Sequence, residues 1–275
     1  MDPLSLADIQ GTTRIFPVVG YPVHQVKAPH LYNDWFRRTG HDCIVVPVEI
    51  APDDYAVVLP ALLRARNVGG VMVTIPHKVP TVGLLDDCSL AVKVSGSCNA
   101  VIRRPDGTLF GDMFDGRGFV RAAQHGGFVP RGARCLVVGA GGAGAAIAAA
   151  LASAGAAQVR LFDTRTAHAE EMARTLQQHF PDCRLDAGPN RLRGFDLVVN
   201  ATPLGMDPAD PMPVDASELT PDMTVGEIVM KVAVTPLVAA ARAAGCRAVL
   251  GYEMLKQQMP LYLEFLGLPE EPEAP

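Results

Sequence analysis

No apolar run in this 275-residue sequence approaches the roughly 18 uninterrupted residues that a membrane helix needs, so no span is expected. Charge is sparse: charged residues make up 19% and the formal net charge is -5. Without a basic surface to neutralise phosphates, a nucleic acid or other polyanion is excluded as the expected partner. The six cysteines, Cys43, Cys88, Cys98, Cys135, Cys183 and Cys246, form no C-x-x-C pair and have no metal-like spacing with histidine. They read as reduced, largely buried thiols, and no metal is expected. No basic segment leading into an apolar stretch opens the sequence, which gives the expectation of a cytoplasmic protein without a signal peptide. Neither a solenoid period nor a collagen-like glycine period is present. What is present is enough apolar residue, 49%, to build substantial cores in two units.

The sequence alternates apolar strands with amphipathic helices. Strands are expected at Phe16–Gly20, Cys43–Val48 and Val71–Ile75, and a hairpin at Asn99–Phe110 turning on Pro105–Gly107. Between them lie helices at about Pro29–Arg38, ended by Gly40, and from Asp53, as cap, to about Arg66. After a connecting helix at Gly116–Gly127 come strands at Ala133–Gly139, Gln158–Phe162, Phe195–Asn200, Thr224–Ile228 and Arg247–Leu250. Helices are expected to Ala154, around 168–180, at Pro236–Ala244 and from about Tyr252, with Pro269–Pro275 as a frayed tail. The fold class is therefore α/β: a Rossmann-type doubly wound parallel sheet plus a smaller α/β domain. The expected domains are 1–115, completed by the C-terminal helix 252–275, and 116–251.

Gly139, Gly141 and Gly144 spell G-x-G-x-x-G between a strand and a helix, with Gly142 and Ala143 completing the loop. The first glycine makes the tight turn, the second admits backbone close to a pyrophosphate, and the third lets helix pack on strand. The helix N-terminus then offers unpaired N–H groups to phosphates. A glycine-rich turn is the competing reading, but the strand–turn–helix context is the one the mechanism requires. Asp163, at the end of the next strand, is placed to accept from ribose hydroxyls and to repel a 2′-phosphate. NAD is accordingly expected over NADP, although Thr164, Arg165 and His168 follow closely. A surface acid capping the next helix is the alternative for Asp163.

Seven motifs in order make the chain resemble the shikimate dehydrogenase family over nearly its whole length. They are Gly20–Pro29 (GYPVHQVKAP), Val73–Lys78 (VTIPHK), Gly96–Asn99 (GSCN), Gly111–Gly116 (GDMFDG), Gly139–Gly144 (GAGGAG), Asn200–Met206 (NATPLGM) and Gly251–Gln258 (GYEMLKQQ). The resemblance implies a split substrate domain, a Rossmann domain and a cleft between them, with roles in quinate use or aromatic amino acid biosynthesis. It assigns acid/base work to Lys78, partnered by Asp115, and ring-hydroxyl binding to Thr74, Asn99 and Gln258. Ala201, Thr202, Pro203, Met206, Gly251 and Met254 fall on the nicotinamide side, with core packing the competing role for the methionines. The chemistry is coherent, because a hydride leaves a carbinol carbon only as its hydroxyl proton is taken. Lys78, just after a strand and at the expected start of a helix, suits that task if its pKa is lowered. A solvated surface lysine, or a plain turn asparagine at Asn99, would be the ordinary alternatives without the motifs.

The departures fall together. Where the resemblance places two carboxylate-binding hydroxyls stand Val26 and Ala28, and a third ligand position, a tyrosine in the family, is Met230. Met72 and Phe114 likewise replace polar residues. Burying a carboxylate there without donors would cost several kcal/mol, against roughly 1–3 kcal/mol per lost hydrogen bond. The expectation is an NAD-dependent enzyme acting on a small cyclic alcohol with an uncharged group at that position, as monomer or homodimer. Lys27 swinging inward is the open route to an anionic substrate. A true shikimate or quinate dehydrogenase with a rebuilt carboxylate site stays open, as does a non-catalytic sensor of NAD or a metabolite. The sensor has no use for Lys78 and Asp115, and no DNA-binding segment is appended. Another two-domain enzyme of this kind, a methylenetetrahydrofolate dehydrogenase, lacks the motifs around Lys78 and Asp115.

Overall fold

A computed structural model describes residues 9–207 and 209–268; the expected tail at 269–275 lies outside them. Two compact units are present. The first comprises the chain up to Val92, Ser97–Met113 and the residues from Met259 on; the second comprises Lys93–Gly96 and Phe114–Gln258.

The first unit begins with β1 (Arg14–Gly20), α1 (Ala28–Thr39), β2 (Cys43–Glu49), α2 (Pro52–Leu62) and β3 (Val71–Val73). There follow β4 (Asp87–Cys88), α3 (Leu90–Ser95), which runs into the second unit, β5 (Ala100–Arg103) and β6 (Leu109–Asp112). The strands form one mixed sheet in the order β2-β1-β3-β5-β6-β4. β1 is parallel to β2 and β3, while β5 and β6 form the expected antiparallel hairpin. Along α1 the fully buried stripe is Ala28, Tyr32 and Phe36, at the four-residue spacing of one helix face. Leu31 and Trp35 are only half-buried. Gly40 ends the helix in the left-handed region at φ 72°, its N–H donating to the Phe36 carbonyl.

Three local expectations need correction. Asp53 does not cap α2: the cap is Ala51, Pro52 takes the first helical position, and Asp53 lies inside the first turn, favourable to the dipole. That helix also ends at Leu62, well before Arg66. β3 stops at Val73, and Thr74–Val79 is a turn leading to a short 3-10 helix at Pro80–Leu84, so Lys78 does not open an α-helix. Pro76 and Pro80 lack the N–H groups that a strand or helix interior would use.

The second unit contains α4 (Asp115–His125), β7 (Arg134–Val138), α5 (Gly142–Ser153), β8 (Gln158–Phe162), α6 (Thr166–His179) and β9 (Arg184–Ala187). It continues with β10 (Leu197–Asn200), β11 (Thr224–Glu227), α7 (Pro236–Ala243), β12 (Arg247–Leu250) and α8 (Gly251–Phe265), whose last residues belong to the first unit. All six strands are parallel, in the order β12-β11-β10-β7-β8-β9. Alternate side chains feed two cores: Cys135, Val137, Leu197 and Val199 on one face, Leu136, Val138, Val198 and Val225 on the other. Chain order reverses between β7 and β10, so the crevice for a ligand lies beyond their carboxyl ends. α4 presses on α5 through Gly116, where a Cβ would stand 2.0 Å from the Ala146 carbonyl oxygen.

Candidate active site

The glycine loop sits at that reversal. Gly139 has φ 104°, open to glycine at little cost, and a Cβ there would lie 2.9 Å from the Ala201 backbone. A Cβ on Gly144 would stand 1.9 Å from the Gly139 carbonyl oxygen, so this glycine lets α5 close on β7. Gly141 is different: it has ordinary φ, nothing lies within 4 Å of its would-be Cβ, and no side chain caps α5. Open space over unpaired helix N–H groups is what a pyrophosphate needs, so Gly141, Gly142 and Ala143 fit a dinucleotide.

Asp163 follows β8 and accepts from the Ala140 N–H at 3.0 Å, tying the second strand end to the glycine loop. It also accepts from the Arg165 N–H at 2.9 Å and forms an ion pair with Nε of that residue at 3.2 Å. Burial alone would raise its pKa, but the Arg165 side chain and these N–H donors outweigh that and bring it to about 2. Asp163 does not cap α6, whose cap is Arg165. Thr164 and the Arg165 side chain are exposed, and His168 reaches the Ala140 carbonyl through Nε2 at 3.1 Å.

On the other side of the reversal, Asn200 organises the loop that follows β10. Its Oδ1 accepts from the Thr202 N–H at 3.1 Å and the Thr202 hydroxyl at 2.6 Å, and its Nδ2 donates to the Leu204 carbonyl. Ala201 and Thr202 thereby rest on Gly139, while Pro203 is exposed and Met206 half-buried. Gly251 is held close to the end of β11, a Cβ there meeting the Ile228 carbonyl oxygen at 2.6 Å. Met254 is buried in the core with Phe119 and Val249. One helical turn on, Gln258 donates to Asp115, which opens α4. Both are almost fully buried, and a Cβ on Gly118 would stand 2.4 Å from Gln258 Cγ.

The first unit holds the remaining candidates. Lys78 is half-buried on a turn fastened at both ends. Its carbonyl accepts from the Cys98 N–H at 2.8 Å. Its neighbour His77 is buried, stacks on Tyr55 with ring centroids 3.9 Å apart, and bonds the Ile50 carbonyl through Nε2. Thr81 links Tyr55 back to the His77 carbonyl, closing the clamp. Asn99 is 2% exposed; its carbonyl accepts from the Val73 N–H at 2.7 Å and the Tyr262 hydroxyl at 2.8 Å. Beside it burial pushes the Cys98 thiol up to about 12, which keeps it neutral. Thr74 continues the β1–β3 pairing, its N–H donating to the Val19 carbonyl, and its methyl rests on Gly20.

Val26 is half-buried and Ala28 buried at the start of α1, where no side chain caps the helix. Met230, by contrast, is 37% exposed in the second unit. Inspection of the sequence alone missed Tyr32, His77, Tyr55 and Tyr262. Tyr32 lies one turn beyond Ala28 on the same face, fully buried, with a hydroxyl that has no hydrogen-bond partner among the described residues and a pKa driven up by burial. The four-residue spacing from Ala28 was the available signal. All six cysteines are free, and among the described residues no cluster of His, Cys, Asp and Glu could hold a metal ion. Nor is any described helix long and apolar enough to cross a membrane.

Residues 18–101 match the model of the shikimate dehydrogenase substrate binding domain, and residues 122–205 that of shikimate / quinate 5-dehydrogenase. The shikimate dehydrogenase (NADP(+)) of Geobacter metallireducens is 38% identical over 259 residues, covering 91% of this chain and 90% of that protein. Among solved structures, the shikimate 5-dehydrogenase of Listeria monocytogenes, in complex with shikimate and NAD, aligns with a TM-score of 0.86 at 26% identity. That alignment covers 96% of this chain and 95% of the other. The ligand-free 5-ketofructose reductase of a Gluconobacter species aligns with a TM-score of 0.82 at 27% identity, over 94% and 95% of the two chains. The matches run through both units, and the chain belongs to the shikimate/quinate dehydrogenase family: it is a nicotinamide-dependent oxidoreductase acting on CH–OH groups.

Proposed function

We propose that this enzyme uses NAD to interconvert a ring hydroxyl and a ketone on a small cyclic alcohol that has no carboxylate where shikimate carries one. The observation that supports this most is the start of α1, where Val26 and Ala28 offer no hydroxyl and the cap residue Lys27 makes no side-chain cap. A carboxylate set against them would lose donors worth roughly 1–3 kcal/mol each while still being desolvated. Lys78 and Asp115, the residues to which the resemblance gives the proton transfer, are both retained. The 5-ketofructose reductase adds weight, since an uncharged keto sugar is the substrate in its name and its chain follows the same fold.

In this reading Lys78 takes the hydroxyl proton as the alcohol is oxidised and returns it to the ketone oxygen in reverse. Asp115, held by Gln258, orients it, and Asn99, Thr74 and Gln258 bind ring hydroxyls, which discriminates strongly against substrates that lack them. The bound nicotinamide supplies the hydride acceptor. Gly139–Gly144 hold its diphosphate, and Asp163 favours NAD because a 2′-phosphate would meet a carboxylate already using Arg165. A second reading, an NADP-dependent shikimate dehydrogenase, is favoured by the names of the curated relatives. The double substitution Val26→Ser with Ala28→Ser separates the two. It should raise kcat/KM for shikimate at least about tenfold, the two restored hydrogen bonds being worth about 1 kcal/mol each. No gain would count against the account.

A further inference from the structure

Glu227 ends β11 directly opposite Asn200, the last residue of β10. It is 2% exposed, and every donor that reaches it is neutral. The Val229 N–H donates to Oε1 at 3.0 Å, the Thr235 hydroxyl to Oε2 at 2.8 Å, and Asn200 Nδ2 to both oxygens at 3.0 and 3.2 Å. No lysine, arginine or histidine among the described residues forms an ion pair with it. Burial is the larger influence and raises the Glu227 pKa above the ordinary carboxyl value, while three donors converging on its two acceptor oxygens, the arrangement that suits a carboxylate, offset part of that rise.

This carboxylate does two things through its position. It fixes the amide of Asn200, which in turn holds Thr202 and Leu204 and so seats Ala201 against Gly139. It also places a buried negative charge at the carboxyl end of the sheet. A dinucleotide straddles such a sheet in two halves, and Asp163 at the end of β8 marks the adenosine half. The other half, beyond β10, β11 and β12, is then the nicotinamide half. The nicotinamide ring is cationic when oxidised and neutral when reduced, so a fixed carboxylate on that side of the sheet, with no ion-pair partner among the described residues, would act on one form and not the other.

We propose that Glu227 positions the Asn200–Met206 loop and, by its charge, biases the site toward the oxidised cofactor. This rests on the reading of the second unit as the nicotinamide-binding unit. The test is binding alone, with the full chain: dissociation constants for NAD+, NADH and ADP-ribose in the wild type, Glu227→Gln and Glu227→Asp. In Glu227→Gln the ratio Kd(NAD+)/Kd(NADH) should rise roughly three- to tenfold, as expected for a screened charge at site distances. ADP-ribose, which lacks the ring, should stay within about twofold. Glu227→Asp keeps the charge, so both affinities should weaken together with the ratio held within about twofold of the wild type. An unchanged ratio in Glu227→Gln, or an equal drift in both variants, would overturn the proposal. Should Glu227→Gln fail to fold, Thr235→Val removes a donor and leaves the charge; a shift of its ratio toward NADH would overturn the proposal, and a constant or NAD+-favouring ratio supports it. If the wild type binds none of the three probes, the underlying reading falls instead.

Discussion

Gln258 Nε2 donates to Asp115 Oδ1 at 3.1 Å, joining the start of α4 to the middle of α8 inside one compact unit. The contact is buried, and Gly118 makes room for it. Gln258→Ala withdraws a donor from a buried carboxylate, at a cost of about 1–3 kcal/mol. Since Asp115 belongs to the proposed proton-transfer pair, kcat/KM should fall roughly 10- to 100-fold. NAD affinity should change little. A variant that loses NAD binding and activity in parallel would show a general collapse of the unit instead.

Asp163 is the residue proposed to set cofactor choice, and its lowered pKa also gives it a share of the acid stability. If the Asp163 carboxylate repels a 2′-phosphate as proposed, Asp163→Asn removes that repulsion and frees Arg165, and kcat/KM with NADP should rise relative to NAD by roughly tenfold. A preference that does not move would remove Asp163 from the specificity argument. Its folded pKa, about 2, lies below the ordinary 3.8. The unfolded chain therefore binds the proton more readily. The contribution of Asp163 to stability is full above about pH 4 and disappears as pH falls toward 2. Urea unfolding of wild type and Asp163→Asn should differ at neutral pH and converge in that window. The pair is partly exposed, so the difference should be modest.

Two glycines separate packing from ligand binding. Gly116→Ala drives a Cβ into the Ala146 backbone and should destabilise the chain by roughly 1–3 kcal/mol or more. Gly141→Ala meets no protein atom and needs no unusual φ, so Tm should hold. Its NAD affinity should nevertheless fall about tenfold or more, because the methyl occupies the pyrophosphate approach. Equal loss of stability in both variants would contradict the assignment of Gly141 to the ligand.

Much of the fold was legible because its signals are local. G-x-G-x-x-G at Gly139–Gly144, the Pro105–Gly107 hairpin and Gly40 after α1 all carry their geometry in a few adjacent residues. Four-residue β9 was missed, since Arg184–Ala187 is too short to show a period and is identified only by pairing with β8. The expected cap at Asp53 failed because Pro52 already occupies the first helical position. The sequence around Lys78 suggests the start of a helix, but Pro80 starts only a five-residue 3-10 turn. The supports of the site were least legible of all. His77 stacking on Tyr55, and Tyr262 reaching Asn99, join residues 22 and 163 positions apart, which no spacing rule connects.

With Val26 and Ala28 at the start of α1, the proposed substrate is a ring alcohol without a carboxylate. The most direct measurement is initial rates with NAD and with NADP across shikimate, quinate and uncharged cyclic polyols, with Lys78→Ala as the blank. An uncharged alcohol should be oxidised with NAD at a kcat/KM at least about tenfold above that for shikimate, about 1.4 kcal/mol of discrimination, and Lys78→Ala should abolish it. Shikimate turned over faster than every uncharged alcohol would contradict the proposal.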